Sequence, residues 1–273
     1  MLLAVLLLVA TWYAAFHVGF FKHADQSVFR GFFDLRHRGQ LAAITSFIAG
    51  LCDPQPYVYF AAIPVFSALV RRRPRLALSI GAMLLGANAT SQVLKPLLAE
   101  PRSASLLGGG YPVQAASWPS GHATAAMALT LACILVAPSR LRPWVAVLGA
   151  LFAVAVSYSF LTLGWHYPSD VVGGFLVALT WTLLVLAARF TAEARRQPVG
   201  SADAAQKDSL SEAFAPALGA MFGALLIAGL VVLVRPHAVS SYARAHGAFI
   251  IGASAIGACA IAIATGIMLV VRR

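Results

Sequence analysis

Uncharged apolar runs of roughly bilayer-crossing length recur along this chain, and the charges collect in short segments between them. A hydrocarbon core about 30 Å thick takes about 20 apolar residues in helical form. By that measure eight spans are predicted, at roughly Leu2–Phe21, Pro54–Val70, Leu76–Leu94, Gly121–Ala137, Pro143–Leu163, Val171–Ala188, Ala213–Val234 and Gly247–Val271. The fold class this predicts is all-α, a polytopic membrane helix bundle. The first apolar run has no positive, polar segment before it, so it reads as an uncleaved anchor and not as a signal peptide. Segment Lys22–Gln40 mixes Phe29, Phe32, Phe33 and Leu35 with charges and predicts a short amphipathic helix along the outer interface. Thr191–Asp208, rich in Ala, Gln, Ser and charge, predicts a cytoplasmic linker. The chain thus divides into a six-helix core over 1–190, a linker over 191–212 and a two-helix hairpin over 213–273. No period of 20–50 residues repeats, and the Gly219/Gly223 spacing says only that backbones approach closely there.

Composition agrees. Of 273 residues, 60% are hydrophobic and 11% charged, with a mean hydropathy of +0.82. A soluble domain carries about 25% charge, so a soluble globule and a disordered chain are both excluded. The net charge of +11 finds almost no soluble surface on which to bind nucleic acid. Basic loops that set topology and touch anionic lipid account for it. With the amino terminus inside, twelve of the twenty Lys and Arg fall on cytoplasmic segments, among them Arg71, Arg72, Arg73, Arg75, Arg140 and Arg142. That bias predicts an integral membrane protein, expected in the cell membrane, with both termini inside. Cys52, Cys133 and Cys259 lie far apart in or beside apolar runs and read as small hydrophobes.

Polar groups at the ends of apolar spans are functional candidates, because lipid penalises them. Three clusters fall on the outer side of this topology. Lys95-Pro-Leu-Leu-Ala-Glu-Pro-Arg102 carries two cations on a proline-stiffened link, suited to one anion or, more plainly, to lipid head groups. Trp118-Pro119-Ser120-Gly121-His122 opens the fourth span. Its serine caps the helix, its glycine lets a ligand approach the backbone, and the free N–H groups make an anion cradle beside a histidine. In Trp165-His166-Tyr167-Pro168-Ser169-Asp170 a carboxylate four residues from an imidazole can accept its N–H, fixing the tautomer and stabilising a cation on the ring. A dication, a helix-terminal nest and two histidines on one side describe phosphoryl-transfer chemistry.

The arrangement resembles the type 2 phosphatidic acid phosphatases, the PAP2 superfamily that also includes vanadium haloperoxidases. Lys95 and Arg102 match its first element, Pro119-Ser120-Gly121-His122 its second, and Ser159, His166 and Asp170 its third. The likeness covers roughly residues 1–190. Ser103 replaces a proline of the pattern and Phe160 replaces its second, phosphate-clamping arginine. A charged bidentate contact of that kind is worth about 1.5–3 kcal/mol, which phenylalanine cannot supply. Either a cation such as those around Arg30–Arg38 enters the site, or the ligand is held differently, or catalysis is weakened. The resemblance implies an integral-membrane lipid phosphate or diphosphate phosphatase that needs neither metal nor cofactor. In it His166 is the nucleophile that becomes a phosphohistidine, Asp170 orients it, and His122 is the general acid and then the base. Lys95, Arg102, Ser120 and Gly121 hold the phosphate oxygens. The site is expected on the non-cytoplasmic face, acting on lipids such as polyprenyl phosphates or diphosphates; nothing in the residues selects one lipid or an oligomeric state. An impaired phospholipid binder and a lipid phosphotransferase use the same residues. A soluble haloperoxidase conflicts with the spans, and a transporter gives no reason for the motifs.

Other polar residues take plainer readings. His17, His23, His237 and His246 are assigned to interfaces, Asp53 to capping the second span, and Trp12, Trp144 and Trp181 to interfacial belts or packing. Trp118 and Trp165 suit either a belt or the wall of the site. Ser103–Ser117, with Gly108-Gly109-Gly110, reads equally as a lid or as a plain connector.

Overall fold

Prolines open most of the long helices. Pro54, Pro74, Pro143 and Pro168 all occupy first turns, where the missing N–H costs no hydrogen bond and the fixed φ already suits the helix. The structure is a computed structural model that describes residues 1–37, 41–102, 113–195 and 232–272. Its helices are α1 (Leu2–His17), α2 (Gly19–Phe33), α3 (Leu41–Gly50), α4 (Pro54–Val70), α5 (Pro74–Leu97), α6 (Gly121–Val136), α7 (Arg142–Thr162), α8 (Pro168–Ala194), α9 (Pro236–Ala245) and α10 (Gly247–Arg272). No strand occurs among the described residues.

The axis of the bundle is α6. Alanines at 123, 125, 126, 128 and 132 are all buried, and their small side chains let α5, α7 and α8 lie close around it. Thr130 of α6 donates its hydroxyl to the carbonyl of Gly149 on α7 at 2.9 Å, an interhelical bond that close approach makes possible. The outer faces carry exposed Val58, Phe66, Leu78, Leu85, Leu148 and Leu151, as a lipid-facing surface requires. Five helical segments are long and apolar enough to cross a membrane: Pro74–Leu97, Ala115–Val136, Ser139–Thr162, Pro168–Ala192 and Gly247–Arg272. The chain is an integral membrane protein.

Three departures from the sequence expectation have physical causes. The first span does not run straight to Phe21: the helix breaks at Val18, whose backbone is extended, and α2 leaves at 87° to α1. Lys22, His23, Asp25 and Gln26 follow at once, and the turn keeps them out of the hydrocarbon by laying α2 across the end of the bundle. Helix α3 was not expected. Its 10 residues are apolar but too few to span, and it packs on α7. The last helix also does not stand apart, since α10 packs against α7, α2, α6 and α8. Arg142 at the start of α7 donates to the carbonyl of Val271, and Tyr158 of α7 donates to that of Ala253. Most of the expected span Ala213–Val234 and most of the linker lie outside the described residues. Helix α8 continues through Ala194, so the linker starts later than residue 191.

Helix direction sorts the charges. The carboxyl ends of α1, α5 and α7 meet the amino ends of α4, α6 and α8 at one end of the bundle, where Asp25, Asp53, Glu100 and Asp170 lie. Arg71, Arg72, Arg73, Arg75, Arg140, Arg142 and Arg272 lie at the other.

Candidate active site

The acid-rich end brings together two of the three sequence clusters and most of the third. Ser120 caps α6 by accepting the Ala123 N–H at 3.3 Å, and its own N–H donates to the carbonyl of Asp170 at 2.9 Å. The amino ends of α6 and α8 are therefore bonded to each other. Gly174 makes this possible: a Cβ there would lie 2.7 Å from the Ser120 carbonyl oxygen and 2.9 Å from the Thr124 nitrogen, both backbone atoms that cannot yield.

At the head of α8, Asp170 is completely buried. Its Oδ2 accepts the Tyr167 N–H at 3.0 Å and faces His166 Nδ1 at 3.2 Å, while Oδ1 accepts from Arg102. With donors on both oxygens, the carboxylate is the acceptor toward His166. The imidazole then carries its proton on Nδ1 and leaves the lone pair on Nε2. His122, in the first turn of α6, lies beside it with ring centroids 6.5 Å apart. Its Nε2 faces Asp53 Oδ1 at 3.0 Å. Asp53 precedes α4 but caps nothing with its side chain, so the capping role assigned from sequence gives way to a contact with His122. The end of α5 brings Lys95 to the same place. Its Nζ lies 3.3 Å, and Gln92 Nε2 3.1 Å, from where a Gly121 Cβ would stand, so a side chain there would crowd both groups.

Arg102 is elsewhere. Its guanidinium binds Asp170, Asp25 Oδ2 at 3.0 Å, Ser169 Oγ at 2.9 Å and Ser117 Oγ at 3.1 Å, and it lies 4.4 Å from the ring centroids of both Phe16 and Tyr167. Burial works against its charge, but Asp170 and Asp25 outweigh that and lift its pKa above the ordinary value. The guanidinium that the sequence assigns to phosphate thus bonds Asp170 Oδ1, the oxygen not facing His166. The sequence offered no sign of this, because the partner Asp25 is 77 residues away on α2. Asp25 also accepts from the Ser169 N–H at 2.8 Å and hydroxyl at 2.6 Å. Burial pushes its carboxyl up to about 6, with Arg102 pulling the other way.

Phe160 is fully buried, with its ring 5.1 Å from that of His166 and 5.9 Å from that of His122. The expected compensation from the Arg30–Arg38 segment is not found among the described residues. Arg30 is exposed 3.9 Å from Asp34, and Arg36 stacks 3.7 Å above Phe33. Ser159 donates back to Ala155 on its own helix at 2.7 Å and takes no part. Trp165 is 43% exposed with its ring 5.5 Å from that of His122, a wall at the site mouth, whereas Trp118 is buried against Gly173 and Phe16. Trp181 packs over Gly86 and donates to Thr90. His17 sits 3.9 Å from Glu100, His23 bonds within α2, and His246 bonds Asp34 at 2.9 Å, all away from the two central histidines. Residues 103–112 of the expected lid lie outside the described residues.

Two histidines, His166 buried and His122 partly exposed, thus meet at one end of a membrane helix bundle, and comparison with known proteins narrows what such a chain resembles. Residues 76–194 match the family model of the PAP2 superfamily. The chain is 28% identical over 152 residues to an undecaprenyl-diphosphatase of Sulfolobus acidocaldarius, covering 53% of this chain and 70% of that protein. Its fold is similar to the crystal structure of a transmembrane PAP2-type phosphatidylglycerolphosphate phosphatase from Bacillus subtilis, with a TM-score of 0.55 and 20% identity, over 72% of this chain and 98% of that one. Residues 76–194 thus match the PAP2 superfamily, and together these likenesses support a membrane-embedded phosphatase.

Proposed function

We propose that this phosphatase cleaves a lipid phosphate or diphosphate at the non-cytoplasmic face through a phosphohistidine on His166. The observation that carries the reading is the pair of histidine–aspartate contacts with rings 6.5 Å apart, beside the amino end of α6 and Lys95. The lone pair of His166 Nε2 attacks phosphorus as the bond to the lipid oxygen breaks, and Asp170 stabilises the resulting imidazolium. His122 delivers a proton to the leaving oxygen. It then takes one from the water that attacks the phosphohistidine, which releases phosphate and restores His166. Lys95, Ser120, the Gly121 N–H and the Gln92 amide stabilise the non-bridging oxygens. Arg102 acts through Asp170, as a positioning residue.

Sidedness is supported by the arginines collected at the opposite end, which the positive-inside tendency assigns to the cytoplasm. The Sulfolobus relative's name makes a polyprenyl diphosphate the first substrate to try. Phe160, together with the engagement of Arg102, favours a second reading in which the protein binds a phosphorylated lipid and turns it over poorly. Phosphate release by the purified protein from polyprenyl diphosphate, phosphatidate and phosphatidylglycerol phosphate separates the two. Turnover that vanishes in His166→Ala is expected. Turnover at full rate in that variant refutes the nucleophile, and tight binding without turnover in the wild type selects the second reading.

A further inference from the structure

The end of the bundle remote from the histidines holds a second concentration of cations that catalysis does not use. Where α6 stops, Arg71 donates from Nη1 to the Val136 carbonyl at 2.8 Å and Arg142 from Nε to the Ala137 carbonyl at 3.1 Å. These bonds satisfy helix-terminal carbonyls and fix both guanidinium groups on either side of the same turn. Arg73 completes the ring. With Ser139 the three arginines line a hollow of about 630 Å³, and no carboxylate lines it among the described residues. A smaller adjoining hollow, of about 180 Å³, shares Arg73 and Arg142 and also has Arg189 in its wall. Its remaining lining is apolar, including Leu76, Leu135, Leu186 and Phe190.

We infer that this paired hollow binds one anionic phospholipid, with the headgroup phosphate among Arg71, Arg73 and Arg142 and an acyl chain along the apolar crevice. Three like charges converging on one polar pocket repel one another, and a phosphate at their centre turns that repulsion into attraction. Fixed guanidinium groups lose little freedom on taking the anion. The apolar crevice selects a lipid over a free anion, because inorganic phosphate leaves it unfilled. Phe190, 49% exposed, and Val270, 38% exposed, carry its wall out to the lipid-facing surface, which gives the chain a path. The crevice is walled by α5, α6, α8 and α10, so a bound lipid also fastens the last helix to the core.

The test uses the full-length protein in mild detergent and reads lipid retention by native mass spectrometry alongside the thermal midpoint, neither of which depends on turnover. Phosphatidylglycerol, phosphatidylcholine and inorganic phosphate are added in separate arms. Phosphatidylglycerol is expected to be retained and to raise the midpoint, and the other two are not. Arg73 makes no side-chain hydrogen bond that the fold needs, so Arg73→Gln should stay folded and weaken retention about tenfold. Arg140→Gln, at the same end but outside both hollows, should leave retention unchanged. Equal retention of phosphatidylcholine, an equal effect of inorganic phosphate, or an equal loss in Arg140→Gln each overturns the inference.

Discussion

His122 and Asp53 face each other across the mouth of the bundle, Nε2 to Oδ1 at 3.0 Å, although they lie 69 residues apart, one in α6 and the other just before α4. A carboxylate there accepts the Nε2 proton and supports the imidazolium against the burial that disfavours it, and a general acid must have that form before it protonates a leaving oxygen. Asp53 is half exposed, so the contact orients the ring without burying a charge. Asp53→Asn should lower kcat by about tenfold to a hundredfold with little change in KM. It should also move the alkaline limb of the kcat profile to lower pH, because the imidazolium is less well supported. Asp53→Glu should recover part of the rate. An unchanged pH profile in the asparagine variant returns Asp53 to the status of a surface carboxylate.

Arg102 gives the sharpest test of roles. A phosphate clamp and a positioning residue both lose activity when removed, but they lose it differently. In the buried cluster with Asp170 and Asp25, removing one partner of the ion pair is expected to cost about 3–5 kcal/mol of stability. Arg102→Gln should therefore lower the thermal midpoint and kcat while the inhibition constant for inorganic phosphate stays near the wild-type value. A weakened phosphate affinity at unchanged stability restores the clamp reading.

The histidine motifs were legible because their chemistry is local. Pro-Ser-Gly-His is a helix start with a histidine in its first turn, and His166 and Asp170 are one turn apart, so each pattern specified its own geometry. Arg102 looked equally clear, since a cation seven residues after Lys95 suits one anion. Its actual partners come from α2 and α8, and no spacing in the sequence encodes an elbow of 87° at Val18. Asp53 was misread for a related reason. A carboxylate just before Pro54 has the signature of a helix cap, and only tertiary packing brings His122 close enough to compete. Among the spans, hydropathy found α4 to α8 and α10, whereas α3 was too short for a span-length pattern to register.

Phe160 occupies the family's arginine position between the two histidines, and a charge can be put back. Phe160→Arg should tighten inhibition by inorganic phosphate about tenfold, the lower end of what a charged hydrogen bond supplies. Thermal unfolding run in parallel shows whether the buried position accepts the side chain. Unchanged phosphate inhibition in a folded variant would mean that position 160 does not face the phosphoryl group.

Gly174 fixes the distance between the two catalytic helices. A methyl group there meets the Ser120 carbonyl and the Thr124 nitrogen at under 3.0 Å, so Gly174→Ala must push α8 away from α6. Overpacking of this kind costs about 1–3 kcal/mol, and the rate should fall further because Asp170 rides on the displaced helix and His166 lies just before it. Gly81→Ala, with nothing within 4 Å, is the control and should be neutral or slightly stabilising. Equal activity in the two variants would show that the spacing is not critical.

Asp25 links stability to pH with a definite sign. Burial raises its carboxyl from an ordinary 3.8 to about 6, Asp170 adds to the rise, and Arg102 and Ser169 oppose it. The folded protein therefore prefers the protonated carboxyl. This contribution is complete below the unfolded value and is lost as pH rises through about 6. Asp25→Asn is neutral at every pH and lacks this dependence. Its thermal midpoint relative to the wild type should accordingly rise between about pH 4 and pH 6 and level off above the folded pKa. A constant difference between the two proteins across that range would mean that Asp25 stays ionised in the fold and that Arg102 outweighs the burial.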